Sequence, residues 1–305
     1  MESGTVSTVH VFTVILNTNR KEDTLACLAS LRETGFARHT VLVLDNDSSD
    51  GSVDAIRISF PEVEVIRLDK NLGYAGNNNV GIEAALKRGA DWVFLLNEDT
   101  IVAPDCLRYL VEIGESEAAI GIVGPMVYHY DRPDLVQSAG GLLGAAWQST
   151  HLGQNETDSG RFAEPHAVDW ISGCAIMVRR AAIEQVGMID ARFFYYWEET
   201  EWCVRAAKAG WTIVHVPQAK VWHKGVRPDY RPQPHVTYYN TRNRLLLLRK
   251  HHAPLRAWIG AWSQFLRTFT SWSVRPKWRA MRNHRDAMWR GMTDFFRGRW
   301  GQMPS

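Results

Sequence analysis

The apolar run Trp92-Val93-Phe94-Leu95-Leu96 ends abruptly on Asn97-Glu98-Asp99-Thr100. A run of this length reads as a buried parallel strand, and the carboxyl end of such a strand is where open α/β sheets place their ligands. Carboxylates there suit a divalent cation held against a phosphorylated substrate, because magnesium and manganese prefer oxygen ligands. An acidic turn capping the next helix through Thr100 or Asp105 would leave the same trace, and this stretch alone does not separate the two. Asp45 stands at another strand end, at the head of Asp45-Asn46-Asp47-Ser48-Ser49-Asp50-Gly51-Ser52. Nucleotide-binding sheets carry at this place an acid that hydrogen-bonds a base or ribose. Asp47 reads instead as a residue that shapes the turn.

The segment Asn71–Asn79 is rich in Gly and Asn and enters a helix. It can bring backbone N–H groups and a positive helix end to an anion, although its glycine spacing is not that of a dinucleotide fingerprint. Phe193 to Trp202 forms an aromatic-acidic block, with Glu198, Glu199 and Glu201 in the first turn of a helix expected to run to about Lys208. The helix dipole alone would favour acids there. The aromatic wall adds a surface for stacking a sugar and for raising a carboxylate pKa. His223 closes a strand after Val221-Trp222, where a ligand role and a structural role both stay open.

These residues need an alternating scaffold, and the first half supplies one. Val9–Leu16, Thr40–Leu44, Val63–Leu68 and Trp92–Leu96 read as strands. Helices are expected through Leu25, Leu28 and Leu31, up to about Ser59, over Asn77–Lys87, and after Pro104. Strands alternating with helices predict a mostly parallel, doubly wound sheet. In the second half Ile120–Tyr128, Val136–Leu143 and Trp170–Val178 read as strands, and Gln148–Glu164 as a polar, mobile loop. Thr212–Val216 and Val221–His223 read as short edge strands, and helix follows from Tyr238, broken near Pro254 and Pro276.

At 305 residues, 45% hydrophobic and 22% charged, the chain has the composition of a globular protein with a full core. The formal charge of +2 conceals a polarity. Arg249–Ser305 holds 12 Lys/Arg against 2 Asp/Glu, and the remainder 23 against 31. A basic tail on an acidic body points to an anionic surface, membrane or nucleic acid. The four cysteines form no paired metal pattern and read as reduced thiols. No signal peptide is recognised, and no apolar run approaches the roughly 18 residues that cross a bilayer. The expected place is the cytoplasm, peripherally on the inner face of the cell membrane.

In order, Leu16-Asn17-Thr18-Asn19, Leu44-Asp45-Asn46 through Ser52, Asn71-Leu72-Gly73 through Gly81, Leu95–Asp99, Ile171-Ser172-Gly173-Cys174, Phe194–Arg205, Val216-Pro217 to His223, and Tyr239-Asn240-Thr241-Arg242-Asn243 resemble a family 2 glycosyltransferase. The resemblance runs from about Val9 to Lys250 and is nearest to the rhamnosyltransferase-like branch that builds cell-envelope glycans. It implies a GT-A fold, with a Rossmann-like, mostly parallel sheet and a C-terminal helical extension. The implied catalytic domain spans residues 1–235, with a nucleotide-binding half at 1–118 and an acceptor half at 119–235. Residues 236–305 would form the basic, Trp-rich extension.

By the same resemblance Asn17, Asn19, Asp45, Asn79 and Asn97 bind the nucleotide-sugar. Asp99 and His223 hold Mg²⁺ or Mn²⁺, and Gly173, Trp197, Glu198 and Glu201 line the acceptor or sugar pocket. Glu199 falls on the position of the general base, which in the family is usually Asp. The implied reaction inverts the anomeric carbon: Glu199 takes a proton from an acceptor hydroxyl while the metal neutralises the departing diphosphate. The expected donor is a nucleotide-diphosphate sugar, with rhamnose from dTDP first, and the acceptor is a lipid-linked or other glycan.

In the tail, Trp258, Trp262, Phe265, Leu266, Phe269 and Trp272 recur at spacings of three and four and share a helical face. Tryptophan with arginine on an amphipathic helix suits an anionic membrane surface. Packing of the stripe on the catalytic domain, or on a second copy in a homodimer, is the competing expectation. A soluble transferase for a protein or small molecule and a non-catalytic nucleotide-sugar-binding protein are the alternative functions. Nucleic acid is not expected as a partner, since no recognised motif accompanies the basic tail.

Overall fold

The computed structural model describes residues 8–225 and 231–304. The first half alternates as β1 (Val11–Asn17), α1 (Lys21–Arg32), β2 (His39–Asp45), α2 (Ser52–Ser59), β3 (Glu64–Arg67), α3 (Gly73–Lys87), β4 (Trp92–Asn97), β5 (Thr100–Val102) and α4 (Cys106–Ser116). It continues through β6 (Ile120–His129), β7 (Val136–Ser138), β8 (Gly141–Leu143), β9 (Ser149–His151), β10 (His166–Ala167) and β11 (Ala175–Arg179). Next come α5 (Arg180–Val186), α6 (Glu198–Lys208) and β12 (Thr212–His223). The C-terminal helices are α7 (Pro234–Lys250), α8 (Leu255–Val274) and, after a 3₁₀ turn at Pro276–Met281, α9 (Arg282–Phe296).

The principal sheet runs β10-β12-β6-β11-β4-β1-β2-β3, with β5 on β12 and β7 on β6. β1 pairs in parallel with β2 and β4, whereas β11 is antiparallel to β4 and to β6. One apolar cluster lies on each side of this sheet, the first around Ile15, Trp92 and Phe94 and the second around Phe12, Val93 and Trp202. Residues 92–96 are therefore buried throughout, the continuous pattern of a strand covered on both faces.

Several sequence expectations change: Ser149–His151, inside the expected loop Gln148–Glu164, is strand β9 paired with β8, and the helix expected from Tyr238 begins at Pro234. Val136–Leu143 is not one strand, because Gly140 at φ +81° turns the chain between β7 and β8. Only the end of Trp170–Val178 is strand, as β11. The segments at Thr212–Val216 and Val221–His223 are one strand, β12, interrupted by an irregularity between Val216 and Lys220. It lies inside the sheet beside β6 and β10, so it is not an edge; edge position is a property of pairing, which local sequence does not carry. Finally, the Gly/Asn-rich segment does not precede its helix but begins it, since α3 starts at Gly73.

The tail folds onto itself. Leu245, Leu248, Ala257, Ala261, Phe265, Met288 and Phe295 form a cluster of their own, against which Trp258, Trp262, Phe269 and Trp272 pack. The stripe expected to face lipid is thus largely turned inward, and only Leu266 of that set is well exposed, at 69%. The large apolar groups of the tail left outside are Leu255, Ile259, Leu266 and Val274 on α8, Trp278 in the 3₁₀ turn, and Trp289 and Phe296 on α9. No helix among the described residues is long and apolar enough to cross a membrane.

Candidate active site

The register of the parallel strands gathers the candidates at one edge. Asn17 is level with Asp45, and Leu16 is level with Asn97. Because β11 runs antiparallel to β4, its beginning meets the end of β4: the Asn97 amide donates to the Cys174 carbonyl at 2.9 Å. Beyond the irregularity in β12, His223 lies level with Thr100, and the Lys224 amide donates to the Asp99 carbonyl at 2.9 Å. Strands from both halves therefore place Asn97, Asp99, Gly173 and His223 side by side.

Asp99 is buried, and its Oδ1 lies 3.1 Å from His223 Nε2. That contact is within ion-pair range but not aligned as a hydrogen bond, so Asp99 Oδ1 is a buried acceptor with no donor directed at it. Burial raises the Asp99 carboxyl, but His223, with Arg20 and a backbone N–H, holds the group below its usual value. Burial, then the Asp99 charge, push Glu98 up to about 7. Asn97 Nδ2 is 3.4 Å from His223 Nε2. The far nitrogen of the ring, Nδ1, is 3.1 Å from Oε1 and 3.0 Å from Nε2 of buried Gln137. Gly225 closes over this pair: a Cβ there would stand 2.3 Å from Asp99 Oδ2. Among the described residues no group of three or more His, Cys, Asp or Glu gathers as a metal cage.

The amides and acid expected at the nucleotide are mostly engaged with the protein. Asn17 is fully buried; its Nδ2 lies 2.9 Å from Asp45 Oδ1, 3.0 Å from Ser48 Oγ and 2.9 Å from Ser52 Oγ, and its Oδ1 accepts from Thr24 at 2.9 Å. Asn17 thereby fixes Asp45 at the strand end. The Asp45 Oδ2 accepts the Ser48 amide at 3.2 Å. Exposed Asn19, at φ 52°, accepts the Ser49 amide at 2.8 Å, which shapes the rim. Asn79 lies farther off, clasping Ile189 through its carbonyl at 2.8 Å and its amide at 3.0 Å.

The acidic block separates by helical phase. Residues 199 and 201 lie about 200° apart on a helix. Glu199 faces Gly173, where a Cβ would meet its Cβ and Cγ at 3.6 Å and the Tyr74 hydroxyl at 3.7 Å. The Tyr74 hydroxyl donates to the Gly173 carbonyl. Burial raises Glu199, partly offset by backbone N–H groups at the helix start. Glu198 beside it is raised well above the usual value by burial and then by Glu199, and its Oε2 has no partner. Glu201 is on the other side, without exposure, bound by Lys250 at 2.8 Å, Arg205 at 3.0 Å and His251 at 3.0 Å. Burial works against that charge, but His251, Arg205 and Lys250 bring Glu201 down to about 2. This ion cluster ties α6 to α7, and it turns the Glu201 carboxylate, without exposure, away from the Gly173 side that Glu199 faces. Trp197 begins α6 at φ 73°, its indole N–H donating to Asn240 at 2.9 Å.

Tyr74, Gln137, Arg242 and Asn243 belong to this region and were not singled out as side chains by the sequence. Two shallow surface depressions elsewhere, around Val80–Arg88 and around Leu28–Val63, include none of the residues above.

The chain matches the profile of Glycosyl transferase family 2 over residues 13–187. It is 30% identical over 254 residues to the N-acetylglucosaminyl-diphospho-decaprenol L-rhamnosyltransferase of Mycobacterium tuberculosis, covering 75% of this chain and 82% of that protein. It is 26% identical over 257 residues to the dTDP-rhamnosyl transferase RfbF of Shigella flexneri, covering 81% and 82%. Among solved structures it resembles the mannosyltransferase PcManGT from Pyrobaculum calidifontis, in complex with GDP-Man and Mn²⁺. The TM-score is 0.57 at 13% identity, over 95% of this chain and 88% of that one. S. aureus TarS gives a TM-score of 0.58 at 12% identity, over 95% and 92%. With acids, amides and an imidazole collected at the strand ends of a sheet shared with these transferases, the chain belongs to glycosyl transferase family 2 and is a glycosyltransferase of the GT-A fold.

Proposed function

We propose that the enzyme moves a rhamnose-type sugar from a nucleoside-diphosphate donor to a hydroxyl of a lipid-linked glycan, with inversion, using Glu199 as general base. The observation that carries this reading is that Glu199 of α6 lies beside Gly173, whose neighbour Cys174 is bonded to Asn97 at the Asn97–Asp99 turn. The relatives named above, a rhamnosyltransferase for a decaprenyl diphosphate-linked sugar and a dTDP-rhamnosyl transferase, support the donor and the acceptor class.

The donor set fits a divalent cation. Asp99 Oδ1 is buried without a hydrogen-bond donor, and His223 Nε2 lies 3.1 Å from it. An oxygen and an imidazole nitrogen are ligands that Mn²⁺ accepts, and PcManGT is itself described with Mn²⁺. A cation held there would neutralise charge on the departing diphosphate. In this reading Asp45, at the end of β2 and held by Asn17 at 2.9 Å, takes the ribose or base. Glu199 receives the acceptor proton as the acceptor oxygen bonds to the anomeric carbon, and the bond to the diphosphate breaks on the opposite face. A carboxylate raised by burial is a stronger base than a solvated one, which suits it to this task. One displacement needs no covalent enzyme intermediate.

The acceptor's lipid brings the enzyme to a membrane surface. Ile259 and Leu266 of α8 stand exposed beside Trp289 and Phe296 of α9, which rest on the inward-turned Phe269 and Trp262 at ring distances of 5.9 and 5.8 Å. Exposed Arg256, Arg267, Arg290 and Arg297 accompany this ridge, a composition that favours anionic headgroups.

The test is a panel of nucleotide sugars in thermal shift and transfer assays with Mn²⁺, on wild type and Asp99→Ala. A dTDP-linked deoxyhexose should raise the melting temperature of wild type most, and Asp99→Ala should lose the metal-dependent part of that rise. Preference for another donor overturns the rhamnose assignment, and an unchanged metal response in Asp99→Ala overturns the metal site.

A further inference from the structure

The Tyr239–Asn243 segment of α7 has no part in the chemistry above, yet its side chains converge on the loop that leads into Glu199. That loop is strained. Phe194, Tyr196 and Trp197 adopt φ of 64°, 68° and 73°, a left-handed conformation that side-chain-bearing residues avoid. Such a run persists only where its surroundings over-determine it.

Asn243 supplies one hold: its Nδ2 donates to the carbonyls of Phe193, Tyr195 and Tyr196, each at 2.8 Å. Arg242 supplies another. Its Nη2 reaches the Phe193 carbonyl at 3.0 Å and the Arg192 carbonyl at 3.3 Å, and its Nε donates to Asn243 Oδ1 at 2.9 Å. Its Nη1 donates to the Gly301 carbonyl at 2.7 Å. Arg242 is fully buried, and among the described residues it pairs with no carboxylate. In place of a carboxylate it has carbonyls, the Tyr238 hydroxyl at 3.2 Å and the rings of Tyr238, Tyr239 and Trp300 at 5.1, 5.1 and 5.9 Å, so its charge is spent on holding this loop and its surroundings in one arrangement. On the opposite side the Ala75 amide donates to the Phe194 carbonyl at 3.2 Å, from the start of α3.

We propose that Arg242 and Asn243 are positioning residues for Glu199, setting the point at which α6 begins and hence which carboxylate faces Gly173 and Tyr74. The proposal rests on the reading of Glu199 as the base. Its physical content is angular: a helix turns about 100° per residue, so a start displaced by one residue swings Glu199 out of the site. Through the Gly301 carbonyl and the packing of α9 on α7, the segment after α7 joins the parts that position Glu199.

The experiment compares Asn243→Ala, Asn240→Ala and Glu199→Gln with wild type. It measures kcat, donor affinity by calorimetry, and the acidic limb of the pH–rate profile. Asn243→Ala should lose about a hundredfold in kcat, the scale of a displacement of roughly 1 Å in a reacting group. Donor affinity should stay within about twofold, because Asp45, Asp99 and His223 are untouched. The acidic limb should move to lower pH as Glu199 gains water. Asn240 is exposed and holds only the Trp197 indole, so Asn240→Ala keeps the fold and carries the test if Asn243→Ala does not fold. It should lower kcat by roughly two- to tenfold, one neutral hydrogen bond, with donor affinity unchanged. Wild-type kcat and an unmoved limb in the folded variants overturn the proposal, as does a fall in kcat matched by an equal loss of donor affinity. Normal transfer by Glu199→Gln would instead strike the base assignment itself. Inactive Glu199→Gln beside normal Asn243→Ala would remove the positioning role alone.

Discussion

Glu199→Gln and Glu201→Gln make the same chemical change two residues apart and should give opposite phenotypes. Glu201 has no exposure and contacts Lys250 at 2.8 Å, Arg205 at 3.0 Å and His251 at 3.0 Å. Those partners bring its pKa from 4.5 to about 2. At 1.36 kcal/mol per unit, that difference corresponds to about 3 kcal/mol of stability at neutral pH. The sign follows from the depressed value: the stabilisation is complete above 4.5 and is lost as pH falls toward 2. Glu201→Gln should therefore melt roughly 5–10 °C below wild type at neutral pH, and the gap should close in acid. Its transfer rate, measured well below its melting point, should stay near wild type. Glu199 is raised by burial, so its ionised form costs stability above its folded pKa and costs nothing below 4.5. Glu199→Gln removes that cost and should melt no lower than wild type at neutral pH. Its transfer rate should fall about 10²–10⁴-fold, the usual range for loss of a general base. Differential scanning fluorimetry across pH, with transfer measured on the same preparations, separates the two. A Glu201→Gln variant with wild-type melting and abolished transfer would reverse the roles, and an active Glu199→Gln variant would refute the reasoning.

Two further outcomes follow from particular contacts. Gln137→Leu removes the partner of His223 Nδ1 and should weaken Mn²⁺ binding about 10–100-fold, measured by metal titration of donor binding; unchanged affinity would leave Gln137 as packing. Replacing Leu266, Trp289 and Phe296 together by Ser should reduce flotation with anionic vesicles, and wild-type binding should weaken with salt as the Debye length falls from about 10 Å at 0.1 M to about 3 Å at 1 M. Flotation unaffected by both changes would remove the membrane from the proposed function.

Much of this organisation was legible in the residues. A buried parallel strand is apolar along its length, so its polar end shows in sequence; that is why Asp45 and Asn97–Asp99 stood out. The arrangement of β12 did not show, because a strand covered by neighbours from residues 100–102, 120–129 and 166–167 owes its position to pairing across the chain. Gln137 meets His223 from 86 positions away, and Asn243 meets the Phe193–Tyr196 carbonyls from nearly 50. Neither residue type is unusual locally. The division between Glu199 and Glu201 did have a signal, since helical periodicity alone sets them on nearly opposite sides. The inward turn of the tryptophan stripe had none, because an amphipathic face looks the same whether protein or lipid covers it.

The pairing of β4 with β11 also governs how this enzyme can be recombined with its relatives. A junction near residue 118 falls between α4 and β6, where the chain looks divisible. Yet β6 is bonded to β11, and β11 is bonded to β4 from Leu96–Ala175 to Trp92–Arg179. A chimera joined there would bring together the two sides of one hydrogen-bonded ladder from different parents, in the centre of the sheet and directly beneath Asn97 and Gly173. Its side chains would meet across a buried seam where even one methylene is felt. Donor and acceptor preference in this chain are thus poorly separable as modules. A grafted specificity would have to enter through loops at the strand ends, leaving the ladder from a single parent.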